Sequence, residues 1–324
     1  MIPKSGNRFL DKITRKPKPR IALFAERRDG HAGLLIAALA KRGVEAVPVA
    51  LKHCAVMTTA PHGLHIPGFE DGLPSGAFVR GISAGSFEQV TVRLGFLHAL
   101  RELGVPVWND ARAIETCIDK AMTSHLIAKA GLPTPATWTA QSREAAAAIA
   151  ARETAEGRAL VLKPLFGSQG KGLMLIRSPA DLPPEDAPGI AGLYYLQRFV
   201  ERAGDVWQDM RVFVVRGEAV AGMVRVGESW ITNMRQGGQP HKLLLTPDLA
   251  GLAVRAAAVT GADYAGVDLI AGGDGETLVL EVNSMPAWAG LQQVAPGIDI
   301  ADAIAGAFLA VLRDRPLSYS RAIL

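Results

Sequence analysis

The sequence predicts a mixed α/β (α+β) protein of several domains, and three observations support this prediction. Short apolar strands alternate with helices of apolar periodicity in the first hundred residues, which is typical of parallel β–α–β units. Two later apolar strands flank an Asp-Gly turn, which indicates an antiparallel hairpin. The 324 residues, 49% hydrophobic and 20% charged, are more than one core comfortably organises and indicate two or three domains.

The first unit, residues 20–117, is predicted to be a small α/β domain. A strand over residues 21–24 leads into a helix over residues 32–41, which Gly43 ends before a strand over residues 46–51. The turn after the first strand lacks the G-x-G-x-x-G spacing that holds a dinucleotide pyrophosphate, which disfavours a Rossmann-type dehydrogenase. The remaining predicted elements are a strand over residues 77–80, a helix over 86–103 and a strand over 105–108.

The second unit, residues 118–203, is predicted to place a glycine-rich loop between two strands. A helix over residues 119–130 ends at Gly131, after which Pro133 and Pro135 impose extended chain. An alanine-rich helix over residues 143–156 follows, and then come strands over residues 159–163 and 172–176 on either side of the loop.

The third unit, residues 204–324, is predicted to consist of strands and helices, with a hairpin between its last two strands and a closing helix. The predicted strands cover residues 211–215, 219–225, 266–270 and 277–282. The predicted helices cover residues 247–261 and 300–312. The chain shows neither an internal repeat nor a low-complexity tract beyond its basic beginning.

The net charge of +4 is concentrated in a basic arm, residues 1–19. Residues 1–20 carry seven Lys/Arg and one Asp, so the rest of the chain has 28 Lys/Arg against 30 Asp/Glu, a net charge of −2. Three prolines favour a flexible arm over an amphipathic helix, with a docked contact to substrate or to another subunit as the alternative. The body therefore gives no indication of nucleic-acid binding.

The sequence also indicates where the protein resides. It contains no run of 18 apolar residues, so no membrane span is predicted. It lacks the apolar stretch of a secretory signal behind its basic beginning. Cys54 and Cys117 are too few for a disulfide scaffold and too far apart for a C-x-x-C site. We therefore expect a cytoplasmic protein in a reducing compartment.

The glycine-rich loop is the first feature that carries chemistry. It reads Gly167-Ser168-Gln169-Gly170-Lys171-Gly172 and follows Lys163 at the end of a predicted strand. Glycines let backbone N–H groups approach a phosphate, and a lysine on the strand supplies a cation. The loop does not match the G-x-x-x-x-G-K-[ST] pattern, and an ordinary hairpin turn is the alternative interpretation.

Two predicted strands near the end of the chain carry acids inside apolar runs. Asp274-Gly275 favours a two-residue type I′ turn between them, which pairs Asp268 with Glu281 and puts Asn283 on the same face. Facing carboxylates repel unless a cation lies between them, so the pattern predicts a Mg²⁺ site with oxygen ligands. In the alternative, one acid is exposed on an edge strand and the other caps a turn.

Arg225 ends an otherwise apolar predicted strand and is a candidate to bind a transferring phosphoryl group. A lone arginine at a strand end is also commonly a surface ion pair, and Lys120 has a similar alternative on a helix face. The seven histidines show no metal-ligand spacing, and neither a G-x-S-x-G turn nor a recognisable cysteine nucleophile is present. Covalent catalysis by the protein is therefore not indicated.

In this order the segments resemble the ATP-grasp superfamily, and within it the RimK-like carboxylate–amine ligases, the family of the α-L-glutamate ligases. The resemblance covers roughly residues 105–312. The matching segments are Asp119-Lys120, the loop after Lys163, residues 196–200, Asp209-x-Arg211, Arg225 with Asn233 and Gly237-Gly238, Gly266-Val-Asp268, and Glu281-Val-Asn283.

The resemblance implies an ATP-grasp fold and a role for each matching residue. An N-terminal α/β pre-ATP-grasp domain would precede a small central nucleotide-loop domain and a C-terminal metal and nucleotide domain. ATP would be bound by Lys120, Lys163, Gly167, Ser168, Gln169, Gly170, Gly172, by the hinge Gln197, Arg198, Phe199, Val200 and by Asp209. Catalysis would involve Arg225 and Asn233. Two Mg²⁺ ions, or Mn²⁺ in their place, would be bound by Asp268, Glu281 and Asn283. The hinge departs from the family at its second position, Arg198, where an acid is common.

The implied reaction joins L-glutamate to a carboxylate acceptor through an acylphosphate formed from ATP. The acceptor could be a tetrahydromethanopterin-type pterin, a ribosomal-protein tail, a peptide or a lysine-pathway carrier. A homo-oligomer, dimer or tetramer, is expected, with no nucleic acid or membrane partner. The alternatives are another ATP-grasp activity, such as the D-alanine–D-alanine or biotin-carboxylase type, and a nucleotide-binding module without catalysis.

Overall fold

The computed structural model describes residues 18–26, 29–167, 169–202, 204–273 and 275–314, which form helices and four β-sheets. All but the last two residues of the arm predicted at 1–19 lie outside this part, as do Ser168 and Asp274. None of the helices in these ranges has the length and apolar character needed to cross a membrane.

The first sheet is parallel, in the order β2-β1-β5-β6. The elements of this region are β1 (Arg20–Phe24), α1 (Gly30–Lys41), β2 (Glu45–Val49), β3 (Ala55–Val56), β4 (Leu64–His65), β5 (Gly76–Val79), α2 (Phe87–Glu102), β6 (Val107–Trp108) and α3 (Ala111–Ile118). Ile21 and Leu23 pack in one core with α1, whereas Ala22 and Phe24 pack in another with α2. The two helices therefore cover opposite faces of the sheet.

Polar caps begin both helices at the carboxyl edge of this sheet. Asp29 Oδ1 accepts the Ala32 N–H at 2.8 Å at the start of α1. Ser86 and Gln89 form a reciprocal capping box at the start of α2. The helix predicted over residues 119–130 is present as α4 (Lys120–Lys129), with Asp119 as its cap, and α3 before it was not predicted.

The small central sheet has the order β7-β10-β8-β9. Its elements are β7 (Thr137–Ala140), α5 (Arg143–Ala155), β8 (Leu160–Lys163), β9 (Met174–Ile176) and β10 (Tyr194–Arg198). Alanines of α5, among them Ala146 and Ala150, pack with Leu160, Leu162 and Leu196 in a core of its own. Sequence analysis missed β7 and β10, and it placed residues 196–200 only as a hinge.

The third sheet is antiparallel, in the order β13-β12-β11-β14-β15. Its elements and neighbours are β11 (Trp207–Val215), β12 (Glu218–Gly227), β13 (Gln239–Lys242), α6 (Pro247–Thr260), β14 (Tyr264–Ala271), β15 (Thr277–Asn283), α7 (Ala289–Val294) and α8 (Ile300–Asp314). Val212 and Val267 pack toward α6, together with Ile127 of α4. Phe213 and Tyr264 lie in the same core as Ile21 and α8.

Two contacts join the first and third sheets closely. Asn109 is fully buried, and its amide nitrogen donates to Tyr264 O at 2.8 Å and to Ser284 O at 2.5 Å. Its amide oxygen accepts the Asp263 N–H at 2.6 Å. The guanidinium of Arg42, the residue after α1, pairs with Asp302 in α8, with Nη2 and Oδ2 2.6 Å apart. The domain boundaries stay predictions, because the first and third regions share one continuous core.

The hairpin between β14 and β15 has the predicted pairing but a different turn. Asp268 pairs with Glu281, as expected. The two-residue type I′ turn is wrong: Gly275 N donates to Gly272 O at 3.0 Å and Gly272 N to Glu276 O at 2.8 Å. Gly275 has φ of +85°, as in a three-residue connection that ends in a left-handed residue. A bulge between Asp268 and Leu269 corrects the register by the extra residue.

Candidate active site

One face of the third sheet changes from apolar to charged along its strands. On β11, Phe213 belongs to the buried core, while Arg211 and Asp209, at the same side of the strand by its two-residue period, are polar. On β14 the same change runs from Tyr264 to Asp268. The N-terminal region covers the apolar half of this face, so the charged half is the floor of a cleft.

Four residues of this floor form an ion network: Asp209, Arg211, Arg225 and Asp268. Arg211 binds Asp268 with both ends of its fork, at 2.6 Å from Nε to Oδ1 and 2.7 Å from Nη2 to Oδ2. Arg225 Nε donates to Asp209 Oδ1 at 2.7 Å, and its Nη2 reaches Asp209 Oδ2 and also Asp268 Oδ2, the latter at 3.0 Å. Arg225 is only 2% exposed, so its surface ion-pair alternative is wrong.

The two arginines decide the protonation of Asp268. Burial alone opposes ionisation of this carboxyl, but Arg211 and Arg225 outweigh burial and hold the pKa of Asp268 well below its usual range. Repulsion between two facing carboxylates without a cation between them would raise the pKa of one of them. For Asp268 the direction is opposite, because its oxygens face guanidinium groups as well as Glu281.

Glu281 and Asn283 occupy neighbouring positions on one face of β15. The Asn283 amide nitrogen donates to Glu281 Oε1 at 3.1 Å and to Gly266 O at 3.4 Å. This orientation leaves the amide oxygen of Asn283 as its free donor atom toward a cation. In the described ranges no three His, Cys, Asp or Glu side chains cluster as a metal site. Glu281 and Asn283 have oxygen atoms of the kind that Mg²⁺ prefers, whereas both oxygens of Asp268 are bound by Arg211 and Arg225 in this structure.

Lys163 and Lys120 bring positive charge to the cleft. Lys163 Nζ donates to Gln197 Oε1 at 2.6 Å. Lys120 Nζ donates to Leu165 O at 2.9 Å and to Gly167 O at 2.8 Å, so it binds the backbone of the glycine-rich loop. Burial lowers the pKa of both lysines, and Glu281 acts in the opposite direction on both. A polyphosphate here would restore their affinity for the proton.

The glycine-rich loop closes against the segment that contains Asn233. Gly170 has φ of +71°, and a Cβ at this position would lie 2.5 Å from Asn233 Oδ1 and 2.9 Å from Ile231 Cγ2. Only glycine permits this close approach without displacement of Asn233. This close contact favours a loop that covers the cleft over the alternative of an ordinary hairpin turn.

The cleft continues into a cavity of about 350 Å³ with aromatic walls. The ring of Phe199 lies 5.9 Å from that of Trp207 and 5.9 Å from that of Trp230, between centroids. A cavity of this size with apolar walls and a few polar groups suits a nucleotide base and sugar. Of the hinge N–H groups, those of Arg198 and Phe199 already donate to Ala136 O and Ala159 O. The adenine bonds predicted there would need hinge carbonyls or the Val200 N–H.

The structure brings most of the predicted site residues together around this cavity. Its lining includes Lys120, Lys163, Gly167, Gln169, Gly170, Gln197, Arg198, Phe199, Val200, Asp209, Arg225, Asn233, Asp268 and Glu281. The side chain of Arg198 turns away, because its Nη2 donates to Glu153 Oε2 at 2.8 Å. Asp209, predicted to bind ATP, is 6% exposed and engaged by Arg225. Ser168 lies outside the described residues. The individual roles of these residues stay predictions.

Sequence reasoning missed several residues of the site. Arg211 was recognised as part of a family motif and not as the partner of Asp268. Its spacing of two residues from Asp209 puts Asp209 and Arg211 on one face of the strand. The same spacing places Trp207 on that face. Tyr195, whose hydroxyl lies 2.8 Å from Ser124 Oγ and 3.5 Å from Gln197 Nε2, gave no sequence signal.

Comparisons with known proteins agree with this geometry. A family model for the RimK-like ATP-grasp domain matches residues 117–308. A tetrahydromethanopterin:α-L-glutamate ligase of Methanococcus maripaludis is 35% identical over 229 residues, 69% of this chain and 75% of that protein. A probable α-L-glutamate ligase of Hahella chejuensis is 35% identical over 212 residues, 64% of this chain and 68% of that protein.

Solved structures share the fold over most of the chain. A RimK domain ATP-grasp protein from Sphaerobacter thermophilus is 25% identical, with a TM-score of 0.63, over 90% of this chain and 99% of that one. The ATP-grasp ligase PsnB, complexed with a minimal precursor, Mg and ADP, is 21% identical, with a TM-score of 0.69, over 91% of this chain and 97% of that one. The predicted mixed α/β ATP-grasp fold is thus confirmed, and the chain belongs to the RimK-like ATP-grasp family of ATP-dependent ligases.

Proposed function

We propose that this ligase joins the α-amino group of L-glutamate to a carboxylate acceptor, with ATP as the source of energy. One observation carries the proposal. Lys120 and Lys163 face the ion network and Glu281 around a single cavity closed by the glycine-rich loop. The cations Lys120, Lys163 and Arg225 line this cavity with the carboxylates Asp209, Asp268 and Glu281, and Lys171 and Arg202 add further positive charge for a polyphosphate.

The proposed chemistry has two steps. A carboxylate oxygen of the acceptor attacks the γ-phosphorus of ATP, and the bond from that phosphorus to ADP breaks to give an acylphosphate. The glutamate amine then attacks the acyl carbon, the bond to phosphate breaks, and the amine loses a proton. Neither step needs a nucleophile from the protein, because positioning and charge neutralisation provide most of phosphoryl-transfer catalysis.

The chain's own residues have distinct tasks in this proposal. Lys163 and Lys120 bind phosphate oxygens as point charges. Arg225, held in place by Asp209, faces the charge that develops on the transferring phosphoryl group, and Asn233 donates to a reacting oxygen. The glycine-rich loop excludes water, which would otherwise hydrolyse the acylphosphate.

The donor set at Asp268, Glu281 and Asn283 fits magnesium. All three offer oxygen atoms, and Mg²⁺ prefers oxygen ligands from few protein groups. Mg²⁺ bound there would neutralise phosphate charge and orient the phosphates. We propose two ions, as the family resemblance implies, and Mn²⁺ could replace Mg²⁺ as a second oxygen-preferring cation.

The acceptor that the relatives favour is a pterin cofactor. The Methanococcus maripaludis relative, by its name, adds glutamate to tetrahydromethanopterin, and a relative from Methanocaldococcus jannaschii, 36% identical over 234 residues, has the same name. We therefore propose a tetrahydromethanopterin-type acceptor. A protein or peptide tail is the second candidate, since relatives named only as probable α-L-glutamate ligases are of similar identity.

A test of the activity follows the oxygen atoms. The purified chain is incubated with Mg²⁺, ATP, L-glutamate and each acceptor in turn, with ADP release and product mass as readouts. An acceptor labelled with ¹⁸O in its carboxylate should transfer one label to the released phosphate. Amide formation without label in the phosphate would exclude the acylphosphate route.

The assembly state is a separate proposal. We propose a homo-oligomer, dimer or tetramer, in line with the expectation from the family resemblance. Light scattering of the purified chain during size-exclusion chromatography measures the mass in solution. A mass of 34.3 kDa, that of one chain, would contradict it.

A further inference from the structure

The parallel sheet has a crevice that the proposed nucleotide site does not use. β1 lies next to β5, and the connections from their carboxyl ends run to opposite faces, through α1 and α2 respectively. Such a point, where the direction of the connections reverses, opens a crevice at the carboxyl edge of a parallel sheet, and ligands bind there. Here Arg80, directly after β5, and His31, in the first turn of α1, border the crevice.

Arg80 is the cation of this crevice, and its charge is unmatched. No Asp or Glu oxygen in the described ranges lies within 4.0 Å of it as an ion pair. Its Nη1 donates to Met285 O at 2.9 Å, and its Cζ lies 5.0 Å from the centroid of the Trp288 ring. The guanidinium is therefore held by a carbonyl, an aromatic face and the nearby Tyr264 hydroxyl, while its Nε is buried without a partner.

Unpaired polar atoms concentrate at the same place. Within the part of the chain that the structure describes, the buried side-chain nitrogens and oxygens that lack a partner are Arg80 Nε, Ser83 Oγ and Trp288 Nε1. Trp288 is fully buried, and Ser83 is 5% exposed in the loop after β5. A buried donor without an acceptor is unfavourable, so Arg80 Nε and Trp288 Nε1, on side chains that contact each other, indicate a ligand that supplies acceptors.

His31 does not supply a second cation. Its Nε2 accepts the Trp288 backbone N–H at 3.1 Å, so that nitrogen carries a lone pair. Burial and the nearby Arg80 lower the pKa of His31, while Asp29 acts in the opposite direction. The residue is a neutral wall of the crevice, and the affinity for an anion rests on Arg80.

We propose that Arg80, with the N–H groups and hydroxyl around it, binds the α-carboxylate of the amino acid whose amine attacks the acylphosphate. An arginine fork matches the two oxygens of a carboxylate, and charge-assisted hydrogen bonds of this kind are about twice as strong as neutral ones. This assignment rests on the proposed ligase reaction, but it does not depend on which amino acid is used.

Two observations favour the α-carboxylate of the amine substrate over a carboxylate of the acceptor. The unpaired atoms are almost closed off from solvent, so a compact ligand suits them better than a pterin or a protein tail. Arg80 is tied to Met285, two residues after Asn283, and two residues of chain span at most about 7 Å. The α-carboxylate shares a carbon with the attacking amine, so its capture here brings the amine beside the proposed metal ligands.

The test compares L-glutamate with L-isoglutamine, which has an uncharged amide in place of the α-carboxylate. The full chain, saturated with Mg²⁺ and AMPPNP, is titrated calorimetrically with each compound, and the same ratio is measured as KM by ADP release. We expect the unaltered protein to prefer L-glutamate about tenfold or more, because the amide removes a charge-assisted bond. Arg80→Gln should remove this preference, and Arg80→Lys should keep part of it.

Controls separate this proposal from loss of folding and from failure of the proposed function. Arg112→Gln, an exposed arginine of α3, is the matched control and should keep the preference. The affinity for AMPPNP should be unchanged in every variant. If Arg80→Gln has a low melting temperature, Arg80→Lys serves as the test variant in its place. If the ligase uses another amino acid, that amino acid and its α-amide take the places of L-glutamate and L-isoglutamine in the comparison. A preference that persists in Arg80→Gln would overturn the proposal.

Discussion

Replacement of Asp209 by asparagine unbalances the ion network in a buried place. In the unaltered protein two arginines, Arg211 and Arg225, face two carboxylates, Asp209 and Asp268, so the network is neutral. Asp209→Asn leaves both guanidinium groups on Asp268 alone, a buried net charge of +1. Arg225 is 2% exposed and Asp268 is 2% exposed, so water cannot replace the lost partner.

The expected destabilisation follows from this burial. Removal of one partner from a buried ion pair costs about 3–5 kcal/mol, because the other charge stays buried without compensation. The entropy of unfolding of 324 residues is about 0.7 kcal/mol/K, so the melting temperature should fall by about 4–7 °C. The matched control is Asp302→Asn, whose carboxylate side chain is 42% exposed beside Arg42 and should cost less than about 1 kcal/mol.

A double substitution tests whether charge balance is the cause. Asp209→Leu combined with Arg225→Met removes one charge of each sign, so Asp268 keeps Arg211 as its partner and the network is neutral again. Apolar residues of similar volume often replace a buried pair without loss of stability. Differential scanning calorimetry should therefore show recovery of the melting temperature, while ADP release stays absent because Arg225 is gone. Equal melting temperatures for Asp209→Asn and Asp302→Asn would refute the reasoning.

Three further predictions concern the metal ligands, a lysine and a buried acid. Glu281→Ala should abolish ADP release and weaken Mg²⁺-ATP binding in calorimetry, with an unchanged fold, since it removes a proposed metal ligand. Gln197→Leu should raise the KM for ATP several-fold, because Lys163 Nζ loses its acceptor at 2.6 Å, whereas Gln197→Glu should retain affinity. Burial raises the pKa of Asp263 to about 7, and the charge of Asp110 acts in the same direction. Asp263→Asn should therefore stabilise the protein at pH 8 by at most about 4 kcal/mol and change its stability little at pH 4.

The sign of the last prediction comes from proton linkage. The folded chain keeps the Asp263 proton up to about pH 7, whereas the unfolded chain releases it near pH 4, so stability falls as the pH rises between these values. A difference in melting temperature between Asp263→Asn and the unaltered protein that stays constant from pH 4 to about pH 7 would contradict this prediction. Normal turnover in Glu281→Ala would place the metal elsewhere, and an unchanged KM in Gln197→Leu would remove Gln197 from the support of Lys163.

The sequence predicted the strand pairing of the site better than its connections. The pairing of Asp268 with Glu281 was correct, because both strands are apolar with acids at the two-residue period. The predicted turn was wrong, because the connection is one residue longer than predicted. A bulge that no local sequence pattern predicts restores the pairing of Asp268 with Glu281. A hairpin register read from sequence can thus be right at the site and wrong at the tip.

The electrostatic partners of the site could not be read from the sequence. Arg225 and Asp209 are 16 residues apart in the chain, and Arg211 and Asp268 are 57 apart, so only the order of the strands in the sheet brings each pair together. β7 and β10 were missed because each is short and pairs with strands that are distant in the sequence. Family motifs supplied the positions of these residues, and the fold supplied their partners.

The position of α8 has a consequence for the synthesis of the protein. Ile300, Ile304 and Phe308 of this last helix complete the core that begins with Ile21 and Leu23. A ribosome that adds about 5–20 residues per second needs roughly 15–55 s to travel from β1 to α8. During that interval the core between the first sheet and α1 lacks the residues that α8 contributes, so the first part of the chain to be made is among the last to be finished. A nascent chain that stops before α8 offers this incomplete core to chaperones.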